Sequence, residues 1–220
     1  MSVAANRFVH DSLVAERPRR MTPPPPLHIL ILAAGAARRM RGADKLLEPV
    51  EGQPLLRRLA RHALATGLPV TVTLPPDRPA RQDALAGLAL DRVVVADAAT
   101  GMASSLRAGL ARIAPDRAVL LLLADLPEIT AEDLALMARH QTAAPDLILR
   151  ATDQSGLPGH PVVFPPWARQ ELAQITGDEG ARQILRRHAD RVQPVALPEA
   201  HATTDLDTPE DWAAWRLGRQ

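Results

Sequence analysis

Residues suited to phosphate binding are concentrated at the end of the first apolar run. The segment LILAAG finishes in the small residues Ala33, Ala34 and Gly35, which allow backbone N–H groups to approach a ligand closely. Basic residues that can form charge-assisted hydrogen bonds with phosphate follow at Arg38, Arg39, Arg41 and Lys45, and Lys45 is the single lysine of the chain. A tight turn with solvated arginines would show the same pattern. The spacing matches neither GxxxxGK[ST] nor GxGxxG.

Carboxylates that could hold a metal ion occur at two separate places. Asp125 follows the apolar run in LLLLADLP, and ligands of open α/β sheets bind at the carboxyl ends of such strands. Asp205 and Asp207 are two positions apart, so in an extended segment both face one side while Leu206 faces the core. Carboxylate oxygens in this setting suit Mg²⁺ bound to phosphate. Asp125 could instead cap a helix, and Asp207 could simply precede the helix that Thr208 begins.

Two glycine-containing loops offer further contacts. TGMASSL supplies Gly101, Ser104 and Ser105 at a predicted helix start, where hydroxyl and N–H groups can bind a nucleotide or simply cap the helix. SGLPGHPVVF places His160 before a strand, in a rigid loop that suits ligand contact as well as a structural role. The other histidines show no zinc-ligand spacing and the chain has no cysteine, so we expect neither a zinc site nor a thiol nucleophile.

The charge distribution favours a local anion site. Residues 1–65 contain eleven basic and five acidic residues, and the remainder contains fifteen basic and twenty acidic residues. A nucleic-acid surface needs an extended basic face, usually with stacking aromatics, and aromatics make up only 2% of this chain. No apolar run approaches the roughly 18–20 residues of a membrane helix, and the first residues lack a secretory signal. We therefore expect a cytoplasmic protein without membrane or nucleic-acid partners.

Short apolar runs alternate with amphipathic helical patterns from residue 27 onward. Strands are predicted at 28–33, 69–74, 92–96, 118–124, 146–150, 161–164 and 192–197. Helices are predicted at 53–66, 80–88, 104–113, 131–141, 167–175, 179–188 and 209–217, with capping boxes starting at Thr130 and Thr208. Runs such as VLLLLA do not alternate, which is typical of strands buried on both faces. The order predicts a single α/β domain, 27–220, of Rossmann-like three-layer architecture with a mostly parallel sheet of roughly seven strands.

Residues 1–26 have a different composition. The segment PRRMTPPPP combines charge with a proline run, which predicts a disordered Pro/Arg-rich tail. Met21 stands just before the domain, and we hypothesise that it is the true start of translation. A peptide spanning Arg20 and Met21, found by mass spectrometry of the native protein, would contradict this hypothesis.

Six motifs in this order resemble the MobA-like nucleotidyltransferase family, and within it most closely the molybdenum cofactor cytidylyltransferases. They are LAAGAARRM…DKLL at 32–47, GMASSL at 101–106, LADLP at 123–127, GHPVVF at 159–164, GDEGAR at 177–182 and DLDTPED at 205–211. Each motif alone is weak, but together they cover the whole of the predicted domain. The resemblance implies a nucleotide-diphospho-sugar transferase-like fold, and transfer of a nucleoside monophosphate from an NTP to a phosphate-bearing acceptor with release of pyrophosphate.

The resemblance also implies roles for individual residues. The catalytic residues would be Arg39, Lys45 and Asp125. Nucleotide binding would fall to Leu32, Ala33, Ala34, Gly35, Lys45, Gly101, Ser104 and Ser105. Mg²⁺ would be held by Asp125 and Asp207, and the acceptor by Gly159, His160, Pro161 and Asp178.

The double alanine of the first motif looks more like the cytidylyl branch, since guanylyl-transferring relatives usually show LAGG. The expected substrates are CTP and a molybdopterin-type acceptor, with delivery of the product to a molybdoenzyme or its chaperone. Alternatives are guanylyl transfer to the same cofactor, nucleotidyl transfer to another small phosphate, and a non-catalytic cofactor chaperone. The chain departs from the family pattern at Arg41, where the family usually has glycine, and at Ala37, where a small polar residue is common.

Overall fold

One large sheet organises the molecule. The computed structural model describes residues 26–35, 38–176 and 181–218, so the predicted tail up to residue 25, with Met21, lies outside the described part. Within these residues the strands are β1 (Leu27–Leu32), β2 (Pro49–Val50), β3 (Gln53–Pro54), β4 (Val70–Leu74), β5 (Asp91–Val94), β6 (Ala118–Leu123), β7 (Ile148–Thr152), β8 (Pro158–Phe164) and β9 (Val192–Ala196). Seven form a sheet in the order β5-β4-β1-β6-β8-β7-β9, and β2 pairs with β3 alone.

Apolar runs buried on both faces account for the central strands. β1, with the sequence LHILIL, is buried at every position, and β6, AVLLLL, at all but the last. β1 pairs in parallel with β4 on one side and β6 on the other. A continuous apolar run would leave one face exposed in a sheet open to water, so helices must cover both sides. The predicted mostly parallel, seven-stranded α/β sheet is confirmed.

β8 is the strand that runs against the others, antiparallel to both β6 and β7. The turn between β7 and β8 is too short for a crossover helix, so the chain must reverse direction. The carboxylate of Asp153 stabilises this turn by accepting hydrogen bonds from the N–H groups of Ser155 and Leu157, both at 2.9 Å. The strand predicted at 161–164 begins earlier, at Pro158, because the hairpin pairing with β7 extends to that residue.

The helices of the described residues follow the predicted order. They are α1 (Leu55–Ala65), α2 (Pro79–Ala84), α3 (Met102–Leu110), α4 (Ala131–Ala143), α5 (Arg169–Gln174), α6 (Arg182–Arg187) and α7 (Pro209–Leu217). Both predicted capping boxes are present, at Thr130 before α4 and at Thr208 before α7. α1 begins later than predicted because Gln53 and Pro54 form β3. None of the described helices has the length and apolar character needed to cross a bilayer.

Three apolar clusters hold the layers together. α1 and α4 cover one face of the sheet, and α3, α5 and α6 cover the other. A smaller cluster consists of Met40, Val50, Leu55, Leu206 and Trp212. Because it contains residues from both ends of the domain, it fixes the segment after β1 beside the segment before α7.

Candidate active site

A cavity of about 530 Å³ opens at the carboxyl ends of β1 and β6. Its lining comes from segments that are distant in sequence: 32–35, 98–102, Ser105, 123–125 and Asp207, together with Arg39, Lys45, Leu46 and Arg81. The volume is within the range of small-molecule and cofactor sites in proteins. The strand ends that the sequence singled out on the nucleotide side therefore converge on one space.

The backbone after β1 forms one wall of this cavity. The N–H of Ala33 donates to the carbonyl oxygen of Thr73 at 3.0 Å, which extends the β1–β4 pairing by one residue. No described residue accepts a hydrogen bond from the N–H of Ala34 or Gly35. A Cβ added to Gly35 would have no atom within 4 Å, and the residue does not adopt a left-handed backbone. Gly35 therefore keeps the space beside the loop open, and as far as the described residues go the N–H groups of Ala34 and Gly35 remain available to an anion.

Lys45 lies among carboxylates from two distant segments. Its Nζ donates to Oδ2 of Asp125 at 2.7 Å and to Oδ1 of Asp207 at 2.6 Å, and lies 3.7 Å from Oδ1 of Asp205. Burial acts to lower the pKa of Lys45, but the charge and hydrogen bond of Asp125, the hydrogen bond of Asp207 and the charge of Asp205 together raise it above its usual value. Lys45 is therefore a stable cation at neutral pH and does not act as a general base.

The three carboxylates around Lys45 form a cluster that fits a divalent cation. One oxygen from each of Asp125, Asp205 and Asp207 lies within 4.8 Å of the others. Oδ1 of Asp125 is buried and has no hydrogen-bond partner in the described structure, so this oxygen is free to bind a cation. Burial and the charge of Asp125 raise the pKa of Asp205 to about 6, against the opposing charge of Lys45. Hard oxygen ligands crowded in this way suit Mg²⁺ or Mn²⁺.

Leu206 explains how a segment near the end of the chain reaches this cluster. It is 5% exposed and belongs to the apolar cluster with Met40 and Trp212. Because neighbouring side chains of an extended segment point to opposite sides, burial of Leu206 directs Asp205 and Asp207 away from that core. This is the orientation that the sequence predicted for these three residues.

The basic residues after β1 have different surroundings. Arg39 forms an ion pair with Asp207 at the cavity. Arg41 is exposed and pairs with Glu210 at 2.8 Å, outside the cavity lining. Arg41 also has a φ of +51°, in the left-handed region that glycine adopts without strain, which accounts physically for the glycine usual at this place. The side chain of Arg38 is outside the described structure.

The loop before α3 separates the two predicted serines. Gly101, with φ of +117° and ψ of 178°, has a backbone conformation that is largely restricted to glycine, and it lines the cavity with Ser105. The hydroxyl of Ser104 instead donates to the carbonyl oxygens of Asp97 at 3.1 Å and Gly101 at 2.9 Å. Ser104 thus stabilises the loop through these two hydrogen bonds, and Ser105 lines the cavity.

A family comparison agrees with this geometry. A model of the MobA-like NTP transferase domain matches residues 29–192. The chain belongs to the MobA-like NTP transferase family. The predicted family is thereby confirmed, and so is the predicted class of enzyme, a nucleotidyltransferase.

Two MobA-like relatives align over most of their length. A nicotine blue oxidoreductase from Paenarthrobacter nicotinovorans is 30% identical over 190 residues, which cover 82% of this chain and 92% of the relative. A probable molybdenum cofactor guanylyltransferase from Nostoc sp. is 30% identical over 197 residues, which cover 85% of this chain and 89% of the relative.

Solved structures share the fold. Rv0371c from Mycobacterium tuberculosis H37Rv has a TM-score of 0.76 at 28% identity, covering 90% of this chain and 100% of that chain. A manganese complex of Rv0371c has a TM-score of 0.72 at 27% identity, covering 86% of this chain and 97% of that chain. A CMP:2-keto-3-deoxy-manno-octonic acid synthetase with CTP has a TM-score of 0.69 at 14% identity, covering 88% of this chain and 98% of that chain. At this identity the likeness concerns the fold only. The predicted nucleotide-diphospho-sugar transferase-like fold of this MobA-like protein is confirmed.

Three of the four predicted acceptor residues of this MobA-like enzyme, Gly159, His160 and Pro161, lie at the start of β8. A Cβ on Gly159 would collide with the carbonyl oxygen of Ala202, which also accepts a hydrogen bond from the N–H of His160 at 2.9 Å. Gly159 thus has a packing reason for being glycine that is independent of any ligand. The His160–Pro161 peptide bond is cis. Asp178 lies outside the described residues.

His160 is an uncharged base at neutral pH. Burial lowers the pKa of His160 to about 4, against a hydrogen bond to the backbone of Leu121 and the charge of Asp125. Its Nδ1 is buried and has no partner among the described residues. At neutral pH the ring of His160 is therefore uncharged and not a phosphate-binding cation, and Gly159, His160 and Pro161 are not among the residues that line the cavity.

Sequence reasoning missed Arg81, a fully buried residue on α2 that lines the cavity floor. Its guanidinium donates to the carbonyl oxygens of Ala33 and Gly35 and pairs with Asp44. No motif marks Arg81 among the many arginines of the chain. The available signal was Asp44, an acidic residue placed directly before the single lysine.

Proposed function

We propose that this enzyme transfers CMP from CTP to the phosphate of a molybdopterin-type acceptor, releases pyrophosphate and requires Mg²⁺. The observation that carries the proposal is the position of Lys45, whose Nζ lies 2.7 Å from Asp125 and 2.6 Å from Asp207, in a cavity that is also lined by Ala34 and Gly35, whose N–H groups have no acceptor among the described residues. Phosphoryl-type transfer depends mainly on positioning and on charge stabilisation, and these groups supply both.

The nucleotide occupies the cavity with its phosphates on the loop 33–35. The free N–H groups of Ala34 and Gly35 donate to phosphate oxygens, and Arg39 adds positive charge at the open side. Ser105 and the backbone at Gly101 face the rest of the nucleotide. The triphosphate is thereby held at the edge where Lys45 and the carboxylates meet.

The transfer step forms one bond and breaks one bond. An oxygen of the acceptor's phosphate attacks the α-phosphorus of CTP, and the bond from that phosphorus to the bridging oxygen of the β-phosphate breaks. The electron pair leaves on pyrophosphate. A phosphate oxygen is already anionic near neutral pH, so the site needs no strong general base. This agrees with a stably charged Lys45 and a neutral His160.

Asp125 and Asp207 would hold the metal ion, with Asp205 beside them. A bound divalent cation neutralises phosphate charge and polarises the bond to the leaving group. Lys45 would take part separately, its ammonium group donating to phosphate oxygens next to these carboxylates. The manganese complex of the related Rv0371c supports a divalent ion at this fold.

Two relatives suggest other reactions to be tested. The Nostoc protein is named a guanylyltransferase, whereas the loop LAAG of this chain resembles the cytidylyl branch. The Paenarthrobacter protein is named an oxidoreductase. Hydride transfer needs no carboxylate cluster, so Asp125, Asp205 and Asp207 within 4.8 Å favour nucleotidyl transfer.

The decisive assay combines binding and turnover. Thermal unfolding with CTP, GTP, ATP or UTP, each with and without Mg²⁺ or Mn²⁺, reports which ligands bind the folded state. Pyrophosphate release is then measured with CTP and molybdopterin, and oxidation of NADH and NADPH is followed in parallel. We expect stabilisation by CTP above the other nucleotides, metal-dependent pyrophosphate release and no oxidation of the dinucleotides.

Each alternative outcome points to a different function. Preference for GTP would indicate guanylyl transfer, and turnover with another small phosphate would change the acceptor. Binding of molybdopterin without pyrophosphate release would indicate a cofactor chaperone. The proposal also includes a cytoplasmic location and delivery of the product to a molybdoenzyme, which cell fractionation and co-purification would test.

A further inference from the structure

All three guanidinium nitrogens of Arg81 donate hydrogen bonds at the edge of the cavity. Nη1 donates to the carbonyl oxygens of Ala33 at 2.6 Å and Gly35 at 2.8 Å. Nε and Nη2 donate to Oδ2 and Oδ1 of Asp44, at 2.7 Å and 2.9 Å. The side chain is 0% exposed. Four of the five N–H donors of Arg81 are therefore bound to the protein itself.

These contacts set which side of the backbone faces the phosphates. In a planar trans peptide the C=O and N–H groups point in opposite directions. Since Arg81 holds the carbonyl oxygen of Ala33, the N–H of Ala34 in the same peptide points the other way, and no described residue accepts from it. Rotation of this peptide would present a carbonyl oxygen to the phosphates, which would repel them.

Asp44 extends the same arrangement to Lys45. The side-chain carboxylate of Asp44 accepts a hydrogen bond from the N–H of Leu46 at 3.1 Å. The backbone carbonyl oxygen of Asp44 accepts one from the N–H of Leu47 at 2.9 Å. These bonds enclose Lys45 in a single helical turn. The Arg81–Asp44 pair therefore joins the loop 33–35 on one side to the turn that carries Lys45 on the other.

We propose that Arg81 is a positioning residue for the triphosphate, which acts through Asp44 to hold the loop 33–35 and Lys45 at a fixed separation. The inference rests on the proposed function and specifies how this site recognises a chain of phosphates. It makes a selective prediction: loss of Arg81 weakens ligands that carry a polyphosphate and spares those held mainly through the base and sugar.

The experiment compares Arg81→Met and Arg81→Lys with a matched control, Arg169→Met. Arg169 also donates to backbone carbonyl oxygens, those of Leu110 at 3.0 Å and Ile113 at 2.9 Å, but it is not part of the cavity lining. Dissociation constants are measured for CTP, inorganic pyrophosphate and CMP, with Mg²⁺ present, and thermal unfolding reports the loss of stability in each variant.

For Arg81→Met we expect CTP and pyrophosphate to bind on the order of 10- to 100-fold more weakly, as when a supporting contact of a site is lost, with a much smaller change for CMP. The affinity of Arg81→Lys for CTP and pyrophosphate should lie between those of the wild type and Arg81→Met. One ammonium group cannot replace a planar guanidinium that donates to a carboxylate and two carbonyl oxygens. Arg169→Met should be destabilised without a change in the ratio of CTP to CMP affinity.

The outcomes separate this inference from the proposed function. If the wild-type protein binds none of the nucleoside triphosphates, the proposed function fails. If the wild type binds CTP but Arg81→Met weakens the binding of CTP and CMP by the same factor, Arg81 is merely structural and the inference is overturned. The inference is also overturned if Arg81→Met weakens the binding of neither nucleotide. If Arg81→Met does not fold, the same ratio measured for Arg81→Lys decides between these outcomes.

Discussion

The two ends of the central sheet treat buried titratable groups in opposite ways. At the amino end of β1, Nε2 of His28 lies 2.9 Å from the hydroxyl of Thr71, and burial with the charges of Arg117 and Arg169 lowers the pKa of His28 to about 4. At the carboxyl end, Lys45 stays charged among three carboxylates. A buried charge is tolerated when opposite charges compensate for lost hydration, and otherwise the group becomes neutral. The fold therefore keeps a charged group at the carboxyl end of β1 and a neutral one at the amino end.

The largest expected effect on turnover comes from removing the carboxylate of Asp125, which pairs with Lys45 at the carboxyl end of the sheet. Asp125→Ala should lower the rate of pyrophosphate release on the order of 10²-fold or more, because a metal ligand and a partner of Lys45 are lost together. It should also abolish the stabilisation by Mn²⁺ in thermal unfolding. The control is Asp91→Ala, which removes an exposed carboxylate paired with Arg112. This variant should keep the wild-type rate of pyrophosphate release and the stabilisation by Mn²⁺. Near-normal turnover by Asp125→Ala would reject the metal role.

Lys45→Arg tests whether any cation suffices among the carboxylates. We expect turnover to fall about 10-fold, because a planar guanidinium bound by Asp125 and Asp207 follows a moving phosphate less readily than a compact ammonium. The rate is measured as single-turnover pyrophosphate release at saturating CTP. Unchanged turnover would remove the argument for lysine and leave the family assignment standing.

A smaller effect is expected at the exposed rim, where two arginines form a matched pair. Arg39 and Arg41 are 72% and 73% exposed, but only Arg39 pairs with Asp207 and lines the cavity. Arg39→Met should raise KM for CTP several-fold, as loss of one partly screened contact does. Arg41→Met should leave it unchanged. Equal effects of the two substitutions would show that the rim contributes only general positive charge.

The smallest effect on activity is expected at the neutral end. Because the pKa of His28 is about 4 in the folded protein and near 6.5 when unfolded, His28 stabilises the fold above pH 6.5. That contribution, on the order of a few kcal/mol at most, is lost as pH falls towards 4. The free energy of unfolding of the wild type should therefore exceed that of His28→Gln at pH 7, and the gap should narrow by pH 4. A constant gap would contradict the neutral state, and turnover at pH 7 should not change.

Local signals were sufficient for most of the sheet and for one wall of the site. Largely apolar runs identified β1 and β6, and the capping boxes located the starts of α4 and α7. The alternation in DLD predicted that Leu206 would face the core and that Asp205 and Asp207 would both face the other side. These features depend on residues close together in sequence, so the sequence displays them directly.

Contacts between distant segments were not predictable in the same way. β2 and β3 have only two residues each, which is too short for an alternation of apolar and polar residues to be recognised. Arg81 acts 48 residues from Ala33, and nothing in its own segment distinguishes it from a surface arginine. Gly159 looked like a ligand-binding glycine, whereas the backbone at Ala202 supplies a steric reason for it. Each depends on tertiary packing that a one-dimensional pattern does not contain.

The placement of Leu206 has a consequence for when the enzyme becomes active during synthesis. Asp207 reaches Lys45 across 162 positions, and its segment is anchored through Leu206 and Trp212. A nascent chain extended only to β9 would already contain the loop 33–35 and Lys45 but would lack Asp205 and Asp207, two of the three carboxylates. Ribosome-bound intermediates should therefore trap nucleotide without consuming it, and catalytic competence should appear only after α7 has emerged and docked.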